Sequence, residues 1–351
     1  MNRLSRVLLV VLCVVSTAMM VSAQAETEAE PIAGVYSLDA PLTLTPGPGF
    51  AGVAVSPEGD KAAAISGFDN LIIAYNTENF SEIGRYEGGA MTNEITYTSD
   101  GRLLVAFIYD PELESTDIAV FDAKTMALQG RFQPAFDSIN HLVTDSESAY
   151  FYGTSRSDEV ASYTLVKFDL ETLTVVAETE AIEAANFTPP YLKLREEDGA
   201  LVGILFFEDG SQIFEWDSAD LSQLLNDDFA GRLSYDGDGF YAYQSSFLND
   251  DEVRVYQHWM KASLDDEEPT ALGDSLCYLL DFSLPTDETY MVGVSYRCEL
   301  ALFNLTTGQI DFRLEGQVGA GVAVSPAGNR IYVAAETGLE VHPVTFTPDE
   351  G

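Results

Sequence analysis

Cysteine and histidine are scarce in this chain, three of each in 351 residues. Basic residues are scarce as well: 17 Lys and Arg stand against 57 Asp and Glu, for a formal net charge of −40. Each shortage excludes something. A chain this negative repels phosphate backbones, so general nucleic-acid binding is excluded. No Cys-x-x-Cys pair is present, which removes the common redox motif. His141, His258 and His342 fall at different repeat positions, so they do not share a zinc ion. There is no Gly-x-Ser-x-Gly elbow and no Gly-x-x-x-x-Gly-Lys phosphate loop.

Long apolar runs are missing too, apart from one near the start. Met1-Asn-Arg-Leu-Ser-Arg6 is basic, Val7 to Val15 is apolar, and small residues lead to Ala23 and Ala25. This is the layout of a secretory signal peptide, residues 1–25, cleaved after Ala23 or Ala25. No later stretch is long and apolar enough to span a bilayer. The acidic residues 26–32 are expected to be a disordered lead-in. Cleavage leaves Cys277 and Cys298, an even pair in an exported chain, and a disulfide is expected between them. In the expected blade, Cys277 opens the first strand and Cys298 follows the second, ends that lie side by side in an antiparallel pair.

What is present is a repeat. Gly52-Val-Ala-Val-Ser-Pro-Glu-Gly-Asp60 recurs as Gly321-Val-Ala-Val-Ser-Pro-Ala-Gly-Asn329. Weaker copies begin at Ile95, His141, Tyr191, Arg232 and Asp281. The copies are roughly 40 to 50 residues apart, the period of propeller blades. A second marker is an aromatic followed by Asn or Asp at the end of most third strands: Tyr75-Asn76, Phe121-Asp122, Phe168-Asp169, Trp216-Asp217 and Phe303-Asn304. The aromatic is expected to bury between blades, and the short polar side chain to bond its own backbone at the turn. The expected fold is all-β, a seven-bladed propeller of four-stranded antiparallel blades over residues 33–346, with a tail at 347–351. The last strand of the fourth blade is poorly marked, since Leu221 to Leu225 can also be read as helical. The last blade has three strands of its own, and a spare strand within 34–45 fits the vacancy and closes the ring.

The repeats Val53-Ala-Val-Ser-Pro-Glu-Gly59 and Val322-Ala-Val-Ser-Pro-Ala-Gly-Asn-Arg-Ile-Tyr-Val333, with Ile118-Ala-Val-Phe-Asp122, resemble the YVTN-type repeats of the lactonase-like seven-bladed propeller superfamily. That resemblance implies a fold and no single activity, because members include lactone hydrolases, surface proteins and binding scaffolds. It also implies a histidine near a first-strand start, where His141 stands, although the fuller motif of Pro and paired His is absent. In a hydrolase His141 would be the general base, with Arg156 or Arg297 holding the developing oxyanion.

The loops between second and third strands are acidic. Asp110, Asp117, Asp158, Asp209, Asp250 and Asp251 could together offer oxygens to calcium, the one cofactor the sequence leaves open, although no EF-hand spacing is present. The first expectation is an exported, monomeric, noncatalytic scaffold that binds a protein or small-molecule ligand through its acidic loop face. The alternative is a lactonase-like hydrolase with His141 as base.

Overall fold

The computed structural model describes residues 34–348 except for short stretches, the longest being 89–93, 111–114, 133–137, 158–161, 184–190, 249–253 and 262–269. The signal peptide and lead-in expected over 1–32 lie outside the described residues. All regular elements among the described residues are strands, and none is a helix.

Two short strands come first, β1 (Gly34–Leu38) and β2 (Leu42–Leu44). The first sheet follows with β3 (Gly52–Val55), β4 (Lys61–Ser66), β5 (Leu71–Asn76) and β6 (Glu82–Glu87). The second has β7 (Ile95–Tyr97), β8 (Leu103–Asp110), β9 (Ser115–Asp122) and β10 (Leu128–Phe132). The third has β11 (Ser138–Thr144), β12 (Tyr150–Ser157), β13 (Ser162–Asp169) and β14 (Thr174–Glu178), with β15 (Ile182–Glu183) also on β13. The fourth has β16 (Tyr191–Arg195), β17 (Ala200–Phe207), β18 (Gly210–Asp217) and β19 (Gln223–Phe229). The fifth has β20 (Arg232–Asp236), β21 (Phe240–Leu248), β22 (Arg254–Lys261) and β23 (Thr270–Ser275). The sixth has β24 (Asp281–Ser283), β25 (Tyr290–Val294), β26 (Cys298–Asn304) and β27 (Gln309–Gln317). The last has β28 (Gly319–Val324), β29 (Arg330–Ala335) and β30 (Gly338–Pro348), with β1 and β2 on the outer edge of β30.

Each sheet is an antiparallel meander, and the apolar clusters lie between consecutive sheets. Ile65 and Ile72 of the first sheet pack with Ile95, Leu104 and Phe121 of the second. Tyr332 and Val341 of the last sheet pack with Ile73 and Tyr75 of the first. The first strands touch one another in the order β24, β28, β3, β7, β11, β16, β20, and the fifth sheet meets the sixth through β23 and β27. This is a β-propeller arrangement of antiparallel sheets.

Three details differ from the sequence expectation. Five sheets have four strands, but two have five, through β2 and β15. The extra β2 arises because the closing strand is broken by a bulge. Leu38 pairs with Val344 and Leu42 with Val341, so Asp39, Ala40 and Pro41 stand opposite two residues, and Pro41 has no N–H for the ladder. The stretch left open to a helix ends in strand β19, and β30 runs through Thr347 and Pro348, the first residues of the expected tail.

The repeated motifs have direct physical causes. In the Ser-Pro-x-Gly turn, Ser56 Oγ accepts the Lys61 N–H at 3.0 Å and donates to Asp60 at 2.8 Å. Ser325 repeats this with Arg330 and Asn329, at 3.0 and 2.9 Å. The aromatic partners of the second marker are buried, and its Asn and Asp side chains accept the backbone N–H two residues on and, in all but Asp217, the one three residues on as well, as Asn76 does from Glu78 and Asn79.

Four residues beyond each Asn or Asp, the N–H bonds back to the carbonyl of that residue. That position has a left-handed backbone every time: Phe80, Met126, Leu173, Leu221 and Gly308. The conformation costs a non-glycine residue about 1–2 kcal/mol. Burying a large apolar side chain gains about 1.5–3 kcal/mol, and Met126 and Leu221 are only 5% and 4% exposed. Burial therefore offsets the strain. Met126 seats on β6 of the neighbouring sheet, where a Cβ on Gly84 would stand 3.0 Å from the Met126 Cβ.

The N-terminal strand is fixed from two sides. β1 pairs with β30 from Gly34↔Pro348 to Leu38↔Val344. It also meets the sixth sheet: Tyr36 N–H donates to Asp311 Oδ2 at 2.7 Å, and Asn304 Nδ2 donates to Gly34 O at 2.9 Å. The Tyr36 ring lies 4.9 Å from Tyr290 and 4.8 Å from Phe346. Cys277 and Cys298 form a disulfide, with Cα atoms 6.2 Å apart. Cys277 precedes β24 and Cys298 opens the third strand β26, so the bridge ties the link between the fifth and sixth sheets to the middle of the sixth, not the ends of its first two strands.

Two outcomes follow. Tyr36→Ala is expected to cost about 3–5 kcal/mol in denaturant unfolding, in one transition; an unchanged midpoint would show that β1 lies outside the cooperative unit. Met126→Gly relieves the left-handed strain but is expected to lose about 1–3 kcal/mol net. A neutral or stabilising result would show that its seat on Gly84 contributes nothing.

Candidate functional site in the ring of first strands

The first strand of each sheet carries an apolar residue that packs on the preceding sheet. Val53, Ile95, Leu142, Leu192 and Val322 do so, and Phe282 packs beside Leu272 of the fifth sheet. The residue just before each of these holds one backbone position in the ring of first strands. Those residues are Gly52, Glu94, His141, Tyr191, Asp281 and Gly321, and Arg232 holds the same register position by opening β20 opposite Gln244. The chain thus sets one layer of the ring with acidic, basic and hydroxyl-bearing residue types, interrupted by two glycines.

Asp281 is the best-defined member. One carboxylate oxygen accepts the Phe282 N–H and the other the Val322 N–H, each at 2.9 Å, which latches β24 to β28. A second latch runs from Val324 N–H to Ser283 Oγ at 2.9 Å. Burial raises the Asp281 carboxyl above its ordinary range; the Val322 N–H and the Lys193 charge oppose that rise, and Glu94 adds to it. Lys193 is on β16 and Glu94 directly precedes β7, so groups from three sheets act on one carboxyl. Gly321 has a packing cause: a Cβ there would lie 3.0 Å from Ala51 O and 3.2 Å from the Gly52 Cα.

His141 stands in β11 at a bulge, since Asn140 pairs with Thr154 and Leu142 with Gly153. Bulges recur where a strand must re-aim a residue. Arg156 is in β12 opposite Ser138, three residues along the strand from His141. Arg297 lies outside the described residues, as do Asp158, Asp209, Asp250 and Asp251. Asp110 is not in a loop but ends β8, opposite Ser115. Asp117 is likewise within a strand, β9, and is buried against Arg131 Nη2 at 2.8 Å, so its charge is matched by a cation of the protein. Among the described residues, no group of three or more His, Cys, Asp or Glu is placed to hold a metal ion.

The other histidines are interior. His258 Nε2 is 2.6 Å from Ser275 Oγ, and His342 Nε2 is 3.4 Å from Glu340. Burial pushes the His258 imidazole down to about 4, with the Arg313 charge adding to the shift.

No protein-family model and no curated protein matches the sequence. Among solved structures the fold is similar to Kuenenia stuttgartiensis hydrazine synthase, with a TM-score of 0.65 at 12% identity, over 88% of this chain and 97% of that one. Matches of this kind number 1462 chains, so the likeness establishes the architecture and no activity.

The buried imidazole gives a pH prediction. The unfolded chain binds a proton at His258 near pH 6.5 and the folded chain only near 4, so its stabilisation is present above 6.5 and is lost as pH falls toward 4. Melting temperatures across that interval are expected to fall more steeply for the parent protein than for His258→Gln. Parallel curves would place the His258 proton uptake outside the unfolding equilibrium.

Proposed function

We propose that this protein is an exported, noncatalytic β-propeller of seven blades, related to the YVTN and lactonase-like repeat proteins, that binds a ligand or partner at one mouth of its ring. The observation that supports this reading is the layer of Glu94, His141, Tyr191, Arg232 and Asp281 at the start of the first strands. In an antiparallel meander, first-strand starts and the loops from second to third strands share one end. The polar layer therefore lies at the end where second strands turn into third strands, and that face is the binding surface. The disulfide supports an oxidising, extracytoplasmic location, and the described residues contain no helix long and apolar enough to cross a membrane.

A hydrolase is the second reading, supported by the placement of His141 in the same layer as Asp281 and at a bulge. It would use His141 as base and Arg156 or Arg297 toward the oxyanion. A lactone panel decides between the two. The binding reading expects no turnover beyond that of His141→Ala, whereas turnover lost in that variant would make the protein an enzyme. For binding itself, thermal shifts against a library of small polar molecules and peptides are expected to be lost in Glu94→Gln and kept in Val176→Ser, a change on the exposed outer strand β14. Equal loss in both would move the site off the ring mouth.

A further inference from the structure

The outer strands of the first six sheets share a bulge, at which one residue is left out of the pairing. The extra residues are Ile83, Gln129, Val176, Leu224, Leu272 and Asp311. In three sheets a neighbour takes this residue up. Ile83 packs on the cluster between the first and second sheets, and Leu272 is buried with Met291 and Phe303 of the sixth. Asp311 accepts the Tyr36 N–H of β1, a strand brought from the far end of the chain. Val176 and Leu224 are apolar at the same place, yet they are 50% and 58% exposed.

Of these two strands, β14 is also unguarded along its length. It ends the third sheet, with no described strand beyond it, so it presents an edge of backbone groups outside any ladder. Protein edges are commonly blunted by charge, as β6 is by Glu82, Arg85 and Glu87, all exposed. From Thr172 to Ala177 the chain has no charge, proline or glycine. Thr174, Val175 and Val176 are all exposed. Charge returns at once on both flanks, as exposed Glu171, Glu178 and Glu180.

We propose that β14 is a docking edge for an extended segment of a cationic protein, a short run of β-branched residues flanked by Lys or Arg. Such a segment adds a strand outside β14, covers Val176, and sets its basic flanks against Glu171, Glu178 and Glu180. A second copy of this chain fits the edge poorly. Two β14 strands laid together bring the glutamates of one against those of the other, and each chain carries a formal net charge of −40. β14 and the first strand β11 are opposite margins of the third sheet. The docking edge is therefore separate from the ring mouth and stands whether or not the mouth binds.

Fluorescence anisotropy on the purified full-length protein tests this. The probe is a labelled synthetic peptide of alternating Thr and Val with two lysines at each end. Beside it run the same peptide with glutamate ends and one with a central proline. The lysine peptide is expected to bind, and both others about tenfold more weakly or worse. Hydrogen exchange at the β14 amides is expected to slow in the complex. Val176→Lys puts a charge on the exposed edge. It is expected to weaken the peptide by about tenfold or more at an unchanged melting temperature. Val35→Lys, at a valine of β1 that is 49% exposed, and His141→Ala, at the ring mouth, are expected to keep it. The proposal is overturned if the lysine peptide does not bind, if either altered peptide binds equally well, or if Val176→Lys retains it. Slowed exchange elsewhere with none in β14 would overturn it too. Dimerisation that Val176→Lys abolishes, with no peptide binding, would replace the cationic partner by a second copy.

Discussion

The pairing of β1 with β30 is the contact on which the rest of the fold depends. A propeller sheet buries both faces only when it has a neighbour on each side, and a row of such sheets would leave two apolar faces in water. Here the last sheet packs on the first, with Tyr332 and Val341 against Ile73 and Tyr75. The last sheet is complete only because the chain's first strand joins it. Asn304 and Asp311 then hold that strand to the sixth sheet as well. Asn304 is 1% exposed, and its amide nitrogen donates to both Gly34 O and Asp311.

Between neighbouring sheets the same device recurs with different side chains. A short polar residue closes a turn with its own carboxylate or amide oxygen, and the residue four places on bends left-handed and plugs into the adjacent sheet. Sequence variation at the plug, from Phe80 to Met126 to Leu173, is tolerated because the socket needs volume and apolarity, not one shape. Where the plug is Gly308, the strain disappears along with the side chain.

Much of this was legible in the chain. Gly52–Asp60 and Gly321–Asn329 announced the repeat, because Ser-Pro-x-Gly is a turn that few alternatives imitate. The Asn and Asp markers announced their turns for the same reason. The disulfide partners were legible from their even count in a chain expected to be exported, but not their place in the sheet, because Cys277 lies in a link whose ends the periodicity does not fix. The left-handed plugs were not legible: Phe80, Met126 and Leu173 read as ordinary loop apolars until the backbone bond to the marker residue is seen. The ring layer was half visible. Six of the seven repeat copies begin at its members, from Gly52 and His141 to Asp281, but the charged types look like scattered surface residues until pairing aligns them. Asp117 reads as a loop carboxylate in the sequence, whereas it lies in β9 with Arg131 as its counter-charge.

The partnership of Gly34 with Pro348 also sets an order of events. A chain is made from its N-terminus, so β1, the earliest strand among the described residues, is made long before the edge it pairs with. Until residues near the C-terminus are available, β1 has no edge to pair with and the first sheet has no neighbour on its open side. Sheets in the middle can collapse on one another as they appear, but the ring cannot lock early. A chain with this topology cannot close its ring until its last strand has been made, and it becomes hard to unfold only then.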